Sequence, residues 1–270
     1  MSTGSIKYTN KWGVSLVREI KTHSSTIYFG KQGDVPVVLK VLRPGSDEIL
    51  QKDVLKQYNG SGAVKVLQSS EEAILLEQLI PGKSITETVP NDEDENATRI
   101  FCAVAKQLHV KKGMPSFKMI EDLAVGYDNY LNSCDDKMSP NEVKYAKNLF
   151  IDLVSSQSET VMLHGDLHHD NILYDEIRGW LAIDPKGYVG EAEYEAGAWL
   201  RNPIKYIMQF AKPEIVKNRV AIMVEQLGWN RERILNWSYA QAVLSAIWSI
   251  EDNETPEASL TIARVLKEMI

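Results

Sequence analysis

The chain has 270 residues, 44% of them hydrophobic and 25% charged, a balance that supports one large buried core or two modest ones in a globular protein. A net charge of −7 disfavours wholesale nucleic-acid binding, two cysteines supply no disulfide framework, and no apolar run is long enough to span a bilayer. The opening Met1-Ser2-Thr3-Gly4-Ser5 lacks the apolar segment of an export signal, so a reducing, cytoplasmic setting is expected.

The first eighty or so residues read as strand-rich. Val14 to Ile20 and Thr26 to Gly30 predict a hairpin around Lys21-Thr22-His23-Ser24-Ser25. Lys31-Gln32-Gly33-Asp34 then turns into the run Val35 to Leu42. A helix is expected from about Ser46 to Tyr58, and Val64 to Leu67 with Ala73 to Leu79 complete an antiparallel sheet. Pro81-Gly82 breaks the pattern and marks a hinge between an N-terminal lobe, 1–80, and a C-terminal lobe, 81–270.

Within the run Val35 to Leu42, strand alternation puts Val38, Lys40 and Leu42 on one face. An unpaired ammonium in an apolar strand is costly to bury. Lys40 is then either an edge-strand guard against aggregation or a phosphate ligand on the roof of a nucleotide cleft, with Val38 against the adenine. The loop described below favours the second reading.

Helical periodicity dominates afterwards. The acidic run Asp92-Glu93-Asp94-Glu95 reads as a solvated linker or a helix start. Ala97, Ile100, Phe101, Val104 and Leu108 share one helical face. Ser139-Pro140-Asn141-Glu142 predicts a capping box with proline in the first turn, opening a helix striped by Val143, Ala146, Phe150 and Leu153. Further helices are expected near 193–210, 213–227, 231–250 and 256–268.

Between these helices lies His164-Gly165-Asp166-Leu167-His168-His169-Asp170-Asn171, followed by Ile183-Asp184-Pro185. Val161-Met162-Leu163 leads in as a buried strand and Ile172-Leu173-Tyr174 leads out. A turn at Asp175 to Gly179 sends Trp180 to Ile183 back, presenting Asp184 beside Asn171. This is the spacing that ATP-dependent phosphoryl transfer requires: a base (Asp166) for the acceptor hydroxyl and two metal ligands (Asn171 and Asp184) against the phosphates. A lone aspartate in a loop is usually a turn residue. Three placed residues in a strand–loop–strand frame carry more. A zinc site at His164, His168 and His169 would need further ligands, and no cysteine lies near.

These residues resemble the aminoglycoside phosphotransferase family, a branch of the protein-kinase-like fold. The family's His-Gly-Asp-x-His-x-x-Asn loop is met by His164, Gly165, Asp166, His168 and Asn171. The chain is similar more narrowly to the streptomycin 6-kinase and hydroxyurea phosphotransferase branch, through Trp180 to Gly187, Tyr194-Glu195 and Leu200-Arg201-Asn202-Pro203. Val38-Leu39-Lys40, Leu75 to Gly82 and Ala246-Ile247-Trp248 support it.

The resemblance implies an α+β, two-lobed fold, with an N-terminal antiparallel sheet and a larger helical C-terminal lobe, and ATP and Mg2+ between them. It implies Asp166 as the base, Asn171 and Asp184 as magnesium ligands, Lys40 on the phosphates, and Glu77, Gln78 and Leu79 as the hinge beside adenine. Lys186, distinctive of this branch, would touch phosphate or substrate or pair with an acid. No Gly-rich loop is present. Ser24 and Ser25 at the hairpin tip would cover phosphate instead. The acid paired with Lys40 would be Glu48, or else the pair weakens to Gln51.

Cationic acceptors are expected to meet carboxylates, with Glu191, Glu193, Glu195, Glu251 and Asp252 as candidates; Trp248 reads as core. The expected activity is phosphorylation of a small hydroxylated molecule, an aminoglycoside such as streptomycin, with no nucleic-acid or membrane partner. The alternatives are a kinase of another small metabolite or a non-catalytic nucleotide-binding regulator.

Overall fold

The computed structural model describes residues 3–88, 93–109, 117–133 and 135–270. Asp92 and Cys134 therefore lie outside the described residues.

The N-terminal part is built on a five-stranded antiparallel sheet. Its strands are β1 (Val14–Lys21), β2 (Ser25–Gln32), β3 (Val35–Leu42), β4 (Val66–Ser69) and β5 (Ala73–Glu77), in the order β1-β2-β3-β5-β4. The most apolar segment, β3, is central, where both faces need covering. Val37 and Leu39, fully buried, face outward with Tyr28 and Leu75 and pack under helix α1 (Thr3–Trp12) through Tyr8 and Trp12. Val38 and Lys40 face the other way, as the alternation requires. Helix α1 has no counterpart in the sequence reading. Among its described side chains only the Tyr8–Trp12 pair, with rings 5.2 Å apart, seals the core, too little to give a periodic signal.

The stretch expected as one helix from Ser46 divides in two. Ser46 caps a 3-10 turn (Asp47–Leu50), which feeds α2 (Gln51–Tyr58), and Asn59 ends it in the left-handed region. Pro81-Gly82 does more than interrupt the chain. It opens β6 (Pro81–Ser84), which pairs with β9 (Ile172–Asp175), itself paired with β10 (Gly179–Ala182). A third small sheet joins β7 (Lys118–Met119), β11 (Tyr188–Gly190) and β8 (Val161–Leu163).

The C-terminal part is mainly helical: α3 (Asp94–Leu108), α4 (Val125–Asn132), α5 (Pro140–Ser155), α6 (Ala196–Leu200), α7 (Ile207–Phe210), α8 (Pro213–Leu227), α9 (Arg231–Glu251) and α10 (Glu257–Lys267). Helix α9 runs through the core. Trp237 on it is fully buried, edge-on to Phe150 at 5.3 Å and to Tyr194 at 5.3 Å. Asp94 in the first turn of α3 is no solvated linker residue, since it takes a two-pronged bond from the buried Arg219 at 2.6–3.1 Å.

Two helix readings need correction. Pro140 does occupy the first turn of α5, but the Ser139 side chain makes no cap bond, so the capping box does not form. The span 193–210 is two 3-10 turns and two short helices. The break falls at Asn202-Pro203, because a residue before proline is pushed out of the helical region.

Candidate active site

Strand β8 delivers the loop His164 to Asp170, and β9 carries the chain away. The loop hangs from a buried carboxylate. Glu195 accepts the backbone N–H of His164 and of Gly165, each at 2.8 Å, and faces the His109 ring nitrogen at 3.2 Å. Burial pushes the Glu195 carboxyl up, but the bond to His109 and the other donors outweigh it, and the carboxyl is held below its ordinary 4.5. Gly165 has φ 82°, and a Cβ there would sit 2.5 Å from the Tyr188 ring.

His164 is fully buried, and burial lowers its pKa from the ordinary 6.5. Its neutral ring has one donor and one acceptor. Nε2 faces the Ile183 carbonyl at 2.8 Å and so carries the proton, while Nδ1 accepts the Asp166 N–H at 3.3 Å. Asn171 donates its side-chain amide to the Asp166 carbonyl at 2.9 Å. Pairing of Ala182 with Ile172, extended by the Ile183 N–H to the Asn171 carbonyl at 2.9 Å, brings Asp184 up beside Asn171.

The Asp166 carboxylate lies 3.3 Å from Arg201 through Oδ1 and 3.7 Å from His168 through Oδ2. Burial raises its pKa. The nearby His168, Arg201, His164 and Lys186 lower it by more, so it stays below the ordinary 3.8.

Lys40 is buried, and its ammonium lies 2.9 Å from Glu48 and 3.0 Å from Asp184. Of the two candidates for its partner, Glu48 is the one that pairs. Gln51 donates to Asp184 Oδ1 instead, at 2.8 Å. Asp184 takes φ 56°, a left-handed conformation that aspartate tolerates better than most residues. Ser24 donates to Glu48 at 2.9 Å, and Ser25 is buried against Thr22 at 2.9 Å. Neither serine is on the wall of the two cavities described next, and at the hairpin tip Ser24 serves Glu48.

Two cavities flank these groups. One, of about 190 Å3, lies under the sheet and is lined by Val38, Lys40, Glu77, Gln78, Leu79 and Asp184 among others. The Glu77 carboxylate is already committed, accepting from the Lys65 N–H at 2.7 Å and from Arg178. The second, of about 440 Å3, is walled by Asp166, Lys186, Tyr188, Arg201, Trp248 and Asp252. Trp248, expected in the core, is half-buried and presents a face to this space.

Glu191 is placed elsewhere. Its buried carboxylate accepts from Trp237 at 2.7 Å and from Arg233 at 2.5 Å, which fixes α9. Glu193 accepts the Asn230 N–H at 3.1 Å, Glu195 holds the loop, and Glu251 is exposed. Of the expected acceptor carboxylates, only Asp252 faces the cavity.

Sequence reasoning missed three contributors. His109 and Gln241 have no motif around them. Arg18 enters because a bulge between Leu16 and Arg18 leaves Val17 outside the register. Arg18 then opposes Phe29, its guanidinium 3.8 Å above that ring and on the wall of the smaller cavity. Arg201 was noted only as part of a motif, with no role.

Asp184 and Asn171 offer a carboxylate and an amide, oxygen donors of the type that hard divalent cations take. Among the described residues no group of three or more His, Cys, Asp or Glu side chains could hold a metal by itself. The donor set therefore suits an ion that draws its remaining ligands from phosphate and water, and does not suit a zinc cage.

The family model of the aminoglycoside/hydroxyurea antibiotic resistance kinases matches residues 11–253. The chain is 31% identical over 238 residues to a streptomycin 3''-kinase of Klebsiella pneumoniae, covering 86% of this chain and 87% of that one. It is 26% identical over 235 residues to a hydroxyurea phosphotransferase of Kitasatospora aureofaciens, covering 84% and 67%. In structure it resembles an aminoglycoside phosphotransferase solved with ADP and hygromycin B (TM-score 0.72, 14% identity, 99% and 98% covered). It also resembles a choline kinase of Streptococcus pneumoniae (TM-score 0.73, 10% identity, 99% and 98% covered). With the two-lobed fold, the Lys40–Asp184 pair and the Asp166 loop in place, the chain belongs to the aminoglycoside/hydroxyurea antibiotic resistance kinase family.

Proposed function

We propose that this kinase transfers the γ-phosphoryl group of ATP to a hydroxyl of streptomycin or a close aminoglycoside. The observation that carries the reading is the His164 ring. It ties the backbone of Asp166, on the wall of the larger cavity, to Ile183, the neighbour of Asp184 on the wall of the smaller one. Base and phosphate ligands are thus held at a fixed separation, as a reaction catalysed by positioning needs.

In this reading residues 1–80 bind the nucleotide and 81–270 carry the base and the acceptor site. Val38, Gln78 and Leu79 surround the adenine, and Lys40 holds the phosphates. Asn171 and Asp184 hold magnesium, which when bound neutralises phosphate charge. Asp166 orients the acceptor hydroxyl and takes its proton. Trp248 and Asp252 receive a cationic group of the acceptor, and Lys186 stands beside the reacting end. Among the described residues no helix is long and apolar enough to cross a membrane.

One observation favours a second reading. The acceptor cavity balances Asp166 and Asp252 with Lys186 and Arg201, so a small neutral acceptor such as hydroxyurea also suits it.

The test is ADP release with ATP and magnesium against streptomycin, other aminoglycosides, hydroxyurea and simple sugar alcohols, with Asp166→Asn as the control. Streptomycin-dependent release that disappears in the control supports the assignment. Turnover on hydroxyurea alone selects the second reading. Undiminished turnover in Asp166→Asn rejects the base.

A further inference from the structure

Arg201 projects from the end of α6 onto the wall of the acceptor cavity, its side chain only 12% exposed. One of its nitrogens lies 3.3 Å from Asp166 Oδ1, and the other donates to Gln241 Oε1 at 3.1 Å. Gln241, on α9, is itself buried, and its amide nitrogen donates to the Tyr194 carbonyl. Both ends of that amide are committed, so it cannot flip without losing a bond. The amide lies against α6 at Gly197, where a Cβ would come within 2.4–2.5 Å of its atoms. A missing side chain on one helix thus makes room for a buried glutamine on another, and the glutamine aims the arginine.

We propose that Arg201 is a positioning residue of the transfer step, holding Asp166 Oδ1 so that Oδ2 meets the acceptor hydroxyl. This rests on the reading of Asp166 as the base. The χ2 torsion of an aspartate is broad and nearly two-fold, so a free carboxylate samples several orientations. A charge-assisted bond from a guanidinium fixed at its other end selects one of them. In the step itself the acceptor oxygen bonds to the γ-phosphorus, the bond from that phosphorus to the bridging oxygen breaks, ADP leaves with the electron pair, and the proton passes to Oδ2. Arg201 takes no proton and forms no bond to substrate. It acts through Asp166.

The sequence offers no route to this relay. Gln241 meets Gly197 and Arg201 only because α6 packs across α9. The relay also explains an arginine in a cavity expected to be acidic, since its charge is matched to the base.

The experiment measures streptomycin-dependent ADP release in Arg201→Ala, Arg201→Lys, Gln241→Leu, Asp166→Asn and the Asp166→Asn/Arg201→Ala double variant, with and without millimolar guanidinium chloride. Loss of orientation at a reacting group costs on the order of 100-fold. The expected result is therefore a kcat about 100-fold lower in Arg201→Ala, with the KM for ATP changed by less than about threefold. Guanidinium restores about tenfold in Arg201→Ala and nothing in Asp166→Asn, because only the first lacks the orienting group. Arg201→Lys recovers part of the loss, Gln241→Leu loses about tenfold, and the double variant is no slower than Asp166→Asn alone.

A kcat for Arg201→Ala within threefold of wild type, a loss confined to the acceptor KM, or no response to guanidinium overturns the proposal. If Arg201→Ala does not fold, Gln241→Leu carries the same decision. Wild-type turnover in Asp166→Asn removes the base assignment, and the role of Arg201 with it. If streptomycin is not an acceptor, the same comparisons are read on whichever acceptor of the panel supports ADP release, so the choice of acceptor and the role of Arg201 fail separately.

Discussion

The Nε2 of His164 lies 2.8 Å from the Ile183 carbonyl, a side-chain bond between the loop that holds Asp166 and the segment that leads from β10 to Asp184. Because burial keeps the ring neutral, its second nitrogen is free to accept the Asp166 N–H. A phenylalanine fills similar volume and makes neither bond. His164→Phe is expected to lower kcat by about 100-fold through misplacement of the base. It should also cost about 2–4 kcal/mol of stability, since a buried carbonyl and a buried N–H lose their partner. Steady-state turnover and urea unfolding of the variant check this; a kcat within threefold of wild type sinks it.

Acid sensitivity should begin with histidines rather than carboxylates. Burial lowers the pKa of His164 and, well below 6.5, that of His169, which also feels Arg219 and His168. The unfolded chain takes up these two protons near pH 6.5 while the folded chain refuses them. Stability is therefore complete above that pH and is lost as pH falls below it, with His169, the more strongly lowered of the two, contributing up to about 1.4 kcal/mol per pH unit for its proton. His169 stacks on Trp199 with ring centroids 3.7 Å apart, and neither of its nitrogens has a hydrogen-bond partner among the described residues. His169→Phe preserves the stacking and removes the larger titration, so the slope should fall by half or more. Urea unfolding at pH 7.5, 6.5 and 5.5 measures it, and an unchanged slope in the variant rejects the assignment.

Lys40 stands between Glu48 and Asp184, and Gln51 supports the same Asp184 oxygen. Lys40→Met removes the cation shared by two carboxylates. ATP affinity should fall at least tenfold by calorimetric titration, and turnover should fall with it. Gln51→Glu replaces a donor with a like charge beside Asp184. It should weaken nucleotide binding more than Gln51→Leu does, the order that charge repulsion predicts and lost packing reverses.

Gly187 has φ 75°, and a Cβ on it would fall 2.2 Å from Val54 on α2. Here the segment after Asp184 packs directly against the N-terminal part. Gly187→Ala should destabilise by about 2–4 kcal/mol, combining overpacking with left-handed strain. Adding Val54→Ala should return the packing share and leave the strain, about 1–2 kcal/mol. Thermal unfolding of Gly187→Ala, Val54→Ala and the double variant, the last read against Val54→Ala alone, checks the ordering. Full recovery in the double variant excludes strain, and no recovery excludes the clash.

The parts of the site legible in the sequence are those written within one strand–loop–strand unit. Asp166, Asn171 and Asp184 are set by loop length and by the β9–β10 hairpin, both local. Lys40 stood out because a charge in an apolar strand demands a partner, and alternation fixed its face. Acidic residues were less readable. Glu191, Glu193, Glu195 and Asp252 look alike in sequence, yet one ties down a tryptophan, one takes a backbone N–H, one holds the loop and one faces the acceptor cavity. A carboxylate's task depends on which donors surround it, and those donors come from α9 and its cap residue Asn230, from the loop after β8, and from His109.

By itself the sequence determined the two-lobed α+β architecture, the shared face of Val38 and Lys40 on their strand, the strand–loop–strand unit around Asp166, and the family. Hydrophobic period and turn chemistry act over a few residues and survive without knowledge of packing. Only the tertiary structure decided that Glu48 rather than Gln51 pairs with Lys40, that Ser24 serves Glu48, that a bulge turns Arg18 into the cleft, and that Gln241 aims Arg201 at Asp166. Each is a contact between segments far apart in the chain, made when buried polar groups from separate elements must satisfy one another.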